Sequence, residues 1–492
     1  MKFTHFLSAL LLVGCASQKH SFERTPSSTD NQDYMSMFSP WEGKEAFARM
    51  YNYIAAAKRD VKVTVYSWSD TGFDKAIETA AANGVNVRVV LHPDLAKKPA
   101  LLEKVQKMEA NRVSGKISFK IAPRNMHEKF VVVDSQILVN SSANMSNGAK
   151  VSYSENFVFL TGPSFLIENF ENEFAVLWNS SKDIVSGSSE RTEERLPYVA
   201  AKHQTTGQNV TLYSSSMNYD YLENQSSTAA YQKGQYIKLS PKGGGKGPYT
   251  VRDAIILGIN NARKSIYCSF NHFNQKEVAD ALLEASKRGV DVKLAVDNQE
   301  YSDHWDSRMI EMTPYFVANW KNLPGNATKE APARVKFYSH NPNPAIWLLN
   351  HHKFLLVDFD TQGGSSSSVL FTGSYNLSET AEHNQFDNMV TYRGPKYANL
   401  QKSFLDEFAR LWLLERTNDV PNPALVSYFT TVKENSLPLH SNKAVSLTWS
   451  EIYRMRDHIK KVAPEFLGQM RMRTNTCKSY NIQTKTLQGC AP

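Results

Sequence analysis

The chain has 492 residues, of which 41% are hydrophobic, 11% aromatic and 21% charged; at roughly 100 to 200 residues per domain this excludes a disordered polymer and a single small module. Its mean hydropathy of -0.44 excludes a membrane-spanning bundle, since the only long apolar run, 3–14, is shorter than the roughly 20 residues that a crossing helix needs. The formal charge is +8, and the surplus lies largely in 449–492, where eight Lys and Arg face three acids; such a run is a solvated helix face, or a contact for anionic headgroups or nucleic acid.

Residues 1–14 read as a secretory signal, with Lys2, an apolar stretch from Phe6 to Val13, and Gly14 before Cys15, where an ordinary cleavage site would lie. The pattern resembles a bacterial lipoprotein signal. That implies cleavage before Cys15, lipidation of its thiol and an acylated amino terminus, and so an exported protein held on a membrane, facing the periplasm or the cell surface. A plain signal peptide with an incidental cysteine is the alternative. Residues 15–34 are rich in Ser, Thr, Asn, Asp and Gln and form a tether.

From 35 to 182 a helix-period segment follows Phe38-Ser39-Pro40, then a β-branched run from Val61 to Tyr66, a second helical segment, and Gly84-Val85-Asn86-Val87. Residues 183–234, rich in Ser, Thr, Gln, Asn and Tyr, read as a long connection with little core. From 235 to 417 the first pattern returns, with Leu239-Ser240-Pro241, Ile266 to Phe270, and Gly289-Val290-Asp291-Val292. The two glycines sit where a helix ends and a strand begins. Each half closes on Glu-Phe-x-x-Leu-Trp, at Glu173 to Trp178 and at Glu407 to Trp412. Strands alternating with helices predict an α/β protein of two tandem domains, each a parallel or mixed sheet flanked by helices. The basic extension 418–492 opens with Pro421 and Pro423, and Thr448-x-x-Glu451 predicts a helix that Pro464 interrupts. Cys268 lies in an apolar run and is expected as a buried thiol. Cys477 and Cys490 remain as a pair able to close a disulfide in an oxidising compartment.

The chemistry is concentrated in two matched blocks. His127-Glu128-Lys129 leads through Phe130-Val131-Val132-Val133 to Asp134, and His351-His352-Lys353 leads through Phe354-Leu355-Leu356-Val357 to Asp358. Both are His-x-Lys-x4-Asp, a pattern expected by chance about 0.05 times at average Lys and Asp frequencies. On a buried strand, residues two apart project to one face, so each His and Lys converge on one ligand. Beyond them, Ser141-Ser142-Ala143-Asn144 matches Gly373-Ser374-Tyr375-Asn376, and Glu155-Asn156 matches Asp387-Asn388, all at an offset of 232. Imidazole, ammonium, hydroxyl, amide and carboxylate, with no metal-ligand spacing and no cofactor motif, suit a tetrahedral phosphodiester: donors hold the oxygens, one imidazole attacks and another protonates the leaving group.

These blocks resemble the phospholipase D superfamily, whose mark is His-x-Lys-x4-Asp followed by Gly-Ser-x-Asn. The resemblance covers most of 35–417. It implies two phospholipase D-like domains about a pseudo-twofold axis, active as a monomer with one shared site, and a phosphohistidine intermediate formed without metal. By the order usual in two-motif members, His127 is the nucleophile and His351 the acid and base, although symmetry allows the reverse. The resemblance makes Lys129, Lys353, Asn144 and Asn376 the clamp on the phosphoryl oxygens, with Ser142 and Ser374 supporting it. Glu155 and Asp387 orient the imidazoles through their unreactive nitrogens, and Asp134 and Asp358 are structural.

Two positions depart from the family. Ser141 replaces a glycine, which predicts a displaced phosphate loop where positive φ is denied. Asp387 replaces a glutamate, so its reach to a histidine is one methylene short. His352 is expected at the pocket rim, and His92, His272, His304, His340 and His383 as structural or surface residues. The motifs read the phosphate and not its substituents, which leaves three functions: a phospholipase D-type enzyme hydrolysing or transferring phosphatidyl groups on a phospholipid membrane, a membrane-anchored nuclease bound to DNA or RNA, and an inactive anion-binding surface lipoprotein. The first is favoured, with Trp320, Trp347 and Leu348 as candidates to dip into lipid.

Overall fold

The computed structural model describes 34–110, 116–151, 153–184, 195–199, 209–221, 236–297, 312–329, 332–336, 349–359 and 367–413, with short strands at 479–481 and 486–488. Cys15, Cys477, Cys490, Trp347, Leu348 and the helix expected from Thr448 lie outside these residues. The described part of the tail is an antiparallel strand pair, Ser479–Asn481 with Thr486–Gln488.

The first half folds into one sheet from β1 (Tyr34–Ser39), β2 (Asp60–Val65), β3 (Asn86–Leu91), β4 (Lys116–Ile121), β6 (Phe130–Val133), β7 (Ile137–Ser141), β8 (Glu155–Thr161) and β9 (Lys182–Asp183), with β5 (Asn125–Met126) standing outside it. The strand order is β1-β8-β7-β6-β2-β3-β4-β9. Strands β2, β3 and β4 run parallel and the others pair antiparallel, so the sheet is mixed. Helices return the chain between the parallel strands, as such connections require. Helix Thr71–Ala82 starts on Asp70, whose carboxylate accepts the Gly72 N–H at 2.8 Å. It ends on Gly84 at φ +88°, with Gly84 and Val85 donating back to Ala81 and Ala80. Helix Lys276–Lys287 ends in the same way on Gly289.

The second half repeats the plan with β10 (Val210–Ser214), β13 (Ser265–Phe270), β14 (Asp291–Asp297), β15 (Ala333–Lys336), β16 (Lys353–Val357), β17 (Val369–Gly373) and β19 (Asn388–Arg393), in the order β10-β19-β17-β16-β13-β14-β15. Two sequence expectations change here. Residues 209–221 are not a bare connection, because β10 is the edge strand of the second sheet, antiparallel to β19. It occupies the place of β1, which pairs with β8. Leu239-Ser240-Pro241 is therefore not the counterpart of Phe38-Ser39-Pro40; it forms β12 (Leu239–Pro241), paired with β11 (Tyr219–Tyr221) away from the main sheet.

Each sheet has an outer core of its own, and a third apolar cluster lies between the sheets. That central cluster takes Phe130, Val132, Phe170, Phe174 and Trp178 from the first half and Phe354, Leu356, Phe404, Phe408 and Trp412 from the second. Strands β6 and β16 are covered on both faces, which is why they read as unbroken apolar runs and not as alternating ones. The Glu-Phe-x-x-Leu-Trp signatures lie on helices Phe165–Ser180 and Ala398–Leu413, and their aromatic residues belong to this shared layer.

Candidate active site

Each His-x-Lys segment enters its strand from a short backbone pairing with the opposite half. Strand β5 runs parallel to β18 (Gln385–Phe386), and the His127 N–H donates to the Phe386 carbonyl at 3.0 Å. On the other side Ser154 bridges Asn350, and the His351 N–H donates to the Ser154 carbonyl at 2.9 Å. One residue after Phe386 comes Asp387, and one after Ser154 comes Glu155. The pairing thus delivers each histidine to the carboxylate of the other repeat. His127 Nδ1 lies 2.7 Å from Asp387 Oδ1, and His351 Nδ1 lies 2.9 Å from both oxygens of Glu155. Asp387 does reach its histidine despite the shorter side chain.

The supporting hydrogen bonds are doubled as well. Ser142 Oγ donates to Glu155 at 2.6 Å and accepts the Asn156 N–H at 2.9 Å. Ser374 Oγ donates to Asp387 at 2.7 Å and accepts the Asn388 N–H at 3.0 Å. These hydroxyls, expected to support the phosphoryl oxygens, are buried and donate to the carboxylates instead, holding those in place. Asp387 has a further donor, Gln385 Nε2 at 2.6 Å, while Ser215 Oγ accepts the Asp387 N–H at 2.9 Å. Gln385 and Ser215 escaped the sequence reading. Gln385 had a readable signal, since it stands two residues before Asp387 on an extended segment and so shares its side.

Lys353 Nζ donates to the His351 carbonyl at 2.7 Å, and Lys129 Nζ makes the equivalent bond to the His127 carbonyl. The amide oxygens of Asn144 and Asn376 are buried and have no hydrogen-bond partner among the described residues. Polar groups left so inside a protein cost free energy unless a ligand meets them. The motif aspartates turn away. Asp134 and Asp358, at φ 55° and 54°, accept backbone N–H groups of 58–60 and 263–265 and so fasten the chain entering β2 and β13. The displaced loop expected at Ser141 is absent: neither it nor Gly373 has positive φ. Gly373 meets a different demand, since a Cβ there would collide with the Asn388 carbonyl oxygen.

Burial dominates the electrostatics. It pushes both His127 and His351 well below the usual imidazole range, with Lys129 and Lys353 adding to the effect. Neutral imidazoles donate Nδ1–H to the carboxylates and leave the Nε2 lone pairs toward the site. Burial also raises Glu155 and Asp387 to about 7 and lowers Lys129 to about 8.

Immediately behind this centre the symmetry breaks. His352 is fully buried and not at a rim; its Nε2 lies 2.9 Å from Glu407 and its Nδ1 3.2 Å from Asn156. Against the effect of its burial, Arg410 and His352 pull Glu407 down to about 2. Glu128 holds the matching position in the first half, where burial, Glu173 and Asp387 hold it well above the usual carboxylate range. A carboxyl stands there where its counterpart is an imidazole. His272 and His92 are not remote either. The charge of His272 helps to depress His127, and His92 packs on Tyr66, which packs on His127.

Residues 50–178 and 255–412 match the family described as "Cardiolipin synthase, PLD-like domain", which covers more than half of the chain. The chain is similar to the mitochondrial cardiolipin hydrolase of Chlamydomonas reinhardtii, at 24% identity over 169 residues, 34% of this chain and 66% of that one. It is 27% identical to the mitochondrial cardiolipin hydrolase of Danio rerio over 136 residues, 28% of this chain and 58% of that one. It thus spans less than two thirds of the length of either relative. The solved phosphatidylserine synthase of Haemophilus influenzae superposes with a TM-score of 0.52 at 12% identity, covering 84% of this chain and 96% of that one. At that identity the likeness is one of fold.

Proposed function

The chain belongs to the phospholipase D superfamily, and from that premise we propose that it cleaves or exchanges one ester bond of a phospholipid phosphodiester. The observation that carries the reading is the crossed pairing of His127 with Asp387 and of His351 with Glu155, two oriented neutral imidazoles flanked by two buried lysines. The lipid assignment draws on the family description and on relatives named as cardiolipin hydrolases. The family description and those relatives do not favour the nuclease alternative.

In this reading His127 Nε2 attacks phosphorus, and a P–N bond forms as the P–O bond to the leaving group breaks. Lys129 and Lys353 Nζ and the Nδ2 groups of Asn144 and Asn376 hold the non-bridging oxygens, each such donor being worth roughly 3 to 4 kcal/mol in the transition state. The phosphate brings a negative charge beside the lysines, which offsets their repulsion and lets His351 take up a proton. His351 Nε2–H gives that proton to the departing oxygen, then takes one from water or an alcohol that attacks phosphorus and frees His127. Attachment to the membrane through Cys15 is part of the same proposal, and Cys15→Ser is expected to move the protein from the membrane to the soluble fraction.

The test offers cardiolipin and phosphatidylglycerol vesicles, and single- and double-stranded nucleic acid, to the chain from Ala16 onward in EDTA, with His127→Ala as blank. Release of phosphatidic acid or headgroup by the wild type alone is expected. Cleavage confined to nucleic acid would replace the lipid reading with that of an anchored nuclease.

A further inference from the structure

The repeat doubles the catalytic set but not the framework that holds it. Asn350, the residue before His351, is fully buried and hydrogen-bonded through each of its polar groups. Its N–H donates to Asp297 Oδ2 at 2.7 Å, and its Oδ1 accepts the Ser269 hydroxyl at 3.0 Å. Its Nδ2 donates to the Ala295 carbonyl at 3.2 Å, and its carbonyl accepts the Asn271 amide at 3.4 Å. Asp297, Ser269 and Asn271 are themselves buried. Asn350 is also the residue that bridges Ser154, the contact by which His351 meets Glu155. The first half puts the same positions to other uses. The registers Phe270 to Val296 and Val65 to Leu91 make Thr64, Tyr66 and His92 the counterparts of Ser269, Asn271 and Asp297. Thr64 Oγ1 accepts the Phe130 N–H and His92 Nδ1 the Asp94 N–H, each at 3.0 Å, while Tyr66 stands edge-on to His127 with ring centres 4.9 Å apart. The residue before His127 is Met126, buried in the central apolar layer.

Apolar packing holds a segment without a preferred direction, whereas a set of buried hydrogen bonds fixes both distance and direction. Proton transfer depends on both, and a small displacement of the donor costs on the order of 10²-fold in rate. Glu155 fixes the His351 ring through Nδ1, and Asn350 fixes the backbone from which that ring projects. We infer that Asn350, locked by Asp297, Ser269 and Asn271, is a positioning residue for His351 in its work as proton donor, a device that the His127 side replaces with Met126. The inference rests on the phosphodiester reading with His351 as the acid, and adds what aims the proton from Nε2 at the departing oxygen as the P–O bond breaks and the P–N bond to His127 forms.

Two readouts test it. In proton NMR the Nδ1–H groups bonded to Glu155 and Asp387 give far-downfield signals, assigned by their loss in His351→Ala and His127→Ala. In Asn350→Ala, and in the milder Ser269→Ala, the His351 signal is expected to move or vanish while the His127 signal keeps its place and reports that the variant is folded. A His351 signal that keeps its place in the folded variants overturns the inference, and so does an equal displacement of both signals. The second readout compares phosphatidyl-p-nitrophenol with phosphatidylglycerol, which share the retained arm and differ in how far the leaving oxygen needs a proton. Both are measured on the same preparation, so any loss of folded enzyme cancels. The kcat/KM ratio of nitrophenol to glycerol substrate is expected to rise about tenfold in Asn350→Ala, part of the roughly 10²- to 10⁴-fold that a placed acid contributes, and to keep the wild-type value in Met126→Ala. An unchanged ratio in Asn350→Ala overturns the inference, as does an equal rise in Met126→Ala. If the wild type cleaves neither lipid, the lipid reading fails while the NMR signals still test Asn350.

Discussion

His127 and Asp387 are 260 positions apart in the chain, yet Nδ1 and Oδ1 lie 2.7 Å apart. Each repeat supplies a histidine and a carboxylate, and neither repeat uses its own pair. A separated half would hold an imidazole without its orienting acid, so the two halves are one catalytic unit.

Removing either acid function is expected to act on turnover. Asp387→Asn and Glu155→Gln keep the shape but not the charge that fixes each imidazole's tautomer, and kcat should fall by about 10²- to 10⁴-fold, the usual worth of oriented acid–base catalysis. Steady-state kinetics would show KM moving little. A change confined to KM would mean that these residues bind substrate and do not orient the histidines.

The roles of the two histidines separate in the covalent step. With a p-nitrophenyl diester the leaving group needs little protonation, so His351→Ala should still form a phosphohistidine and then stall, while His127→Ala forms none. Intact-protein mass spectrometry reads the added mass. The opposite pattern would make His351 the nucleophile.

The pH profile follows from burial. Glu155 and Asp387, both raised to about 7, must lose their protons to orient the imidazoles, and Lys129, lowered to about 8, must keep its own to hold the phosphate. The expected kcat/KM of the wild type therefore rises toward about 7 and falls above about 8. Burial holds Lys353 well below the usual lysine range as well, and arginine does not titrate in this range, so the double variant Lys129→Arg with Lys353→Arg should lose the alkaline fall. A fall that persisted in the double variant would point to a different group.

Stability depends on pH with the opposite sign at Glu407. Its folded pKa, about 2, is below the ordinary 4.5, so its contribution is present above 4.5 and is lost as pH falls toward 2. Glu407→Ala leaves Arg410 and the buried His352 without their acid, at a cost of about 3 to 5 kcal/mol. Denaturant midpoints at pH 7 and pH 3 should differ by less in this variant than in the wild type. An equal pH effect in both would remove Glu407 as its source.

Much of this was legible in the sequence because it is local. Alternation along a strand puts His127 beside Lys129 and His351 beside Lys353, and the apolar runs after them mark strands covered on both faces. A constant offset of 232 aligned the serine, asparagine and carboxylate of the two repeats. What periodicity does not record is which distant backbone each segment pairs with. The exchange of carboxylates comes from β5 meeting β18 and from Ser154 meeting Asn350, contacts between segments about 200 residues or more apart in the chain. Within each repeat the fold sets Ser142 and Ser374 on the carboxylates and, in the second, His352 on Glu407. The charge of His272, from the second half, also reaches His127 and depresses it. The sequence determined the reacting groups and their doubling, since those follow from neighbours in the chain; the tertiary structure alone decided their partners, since packing two sheets on one apolar layer sets which side chains face each other across it.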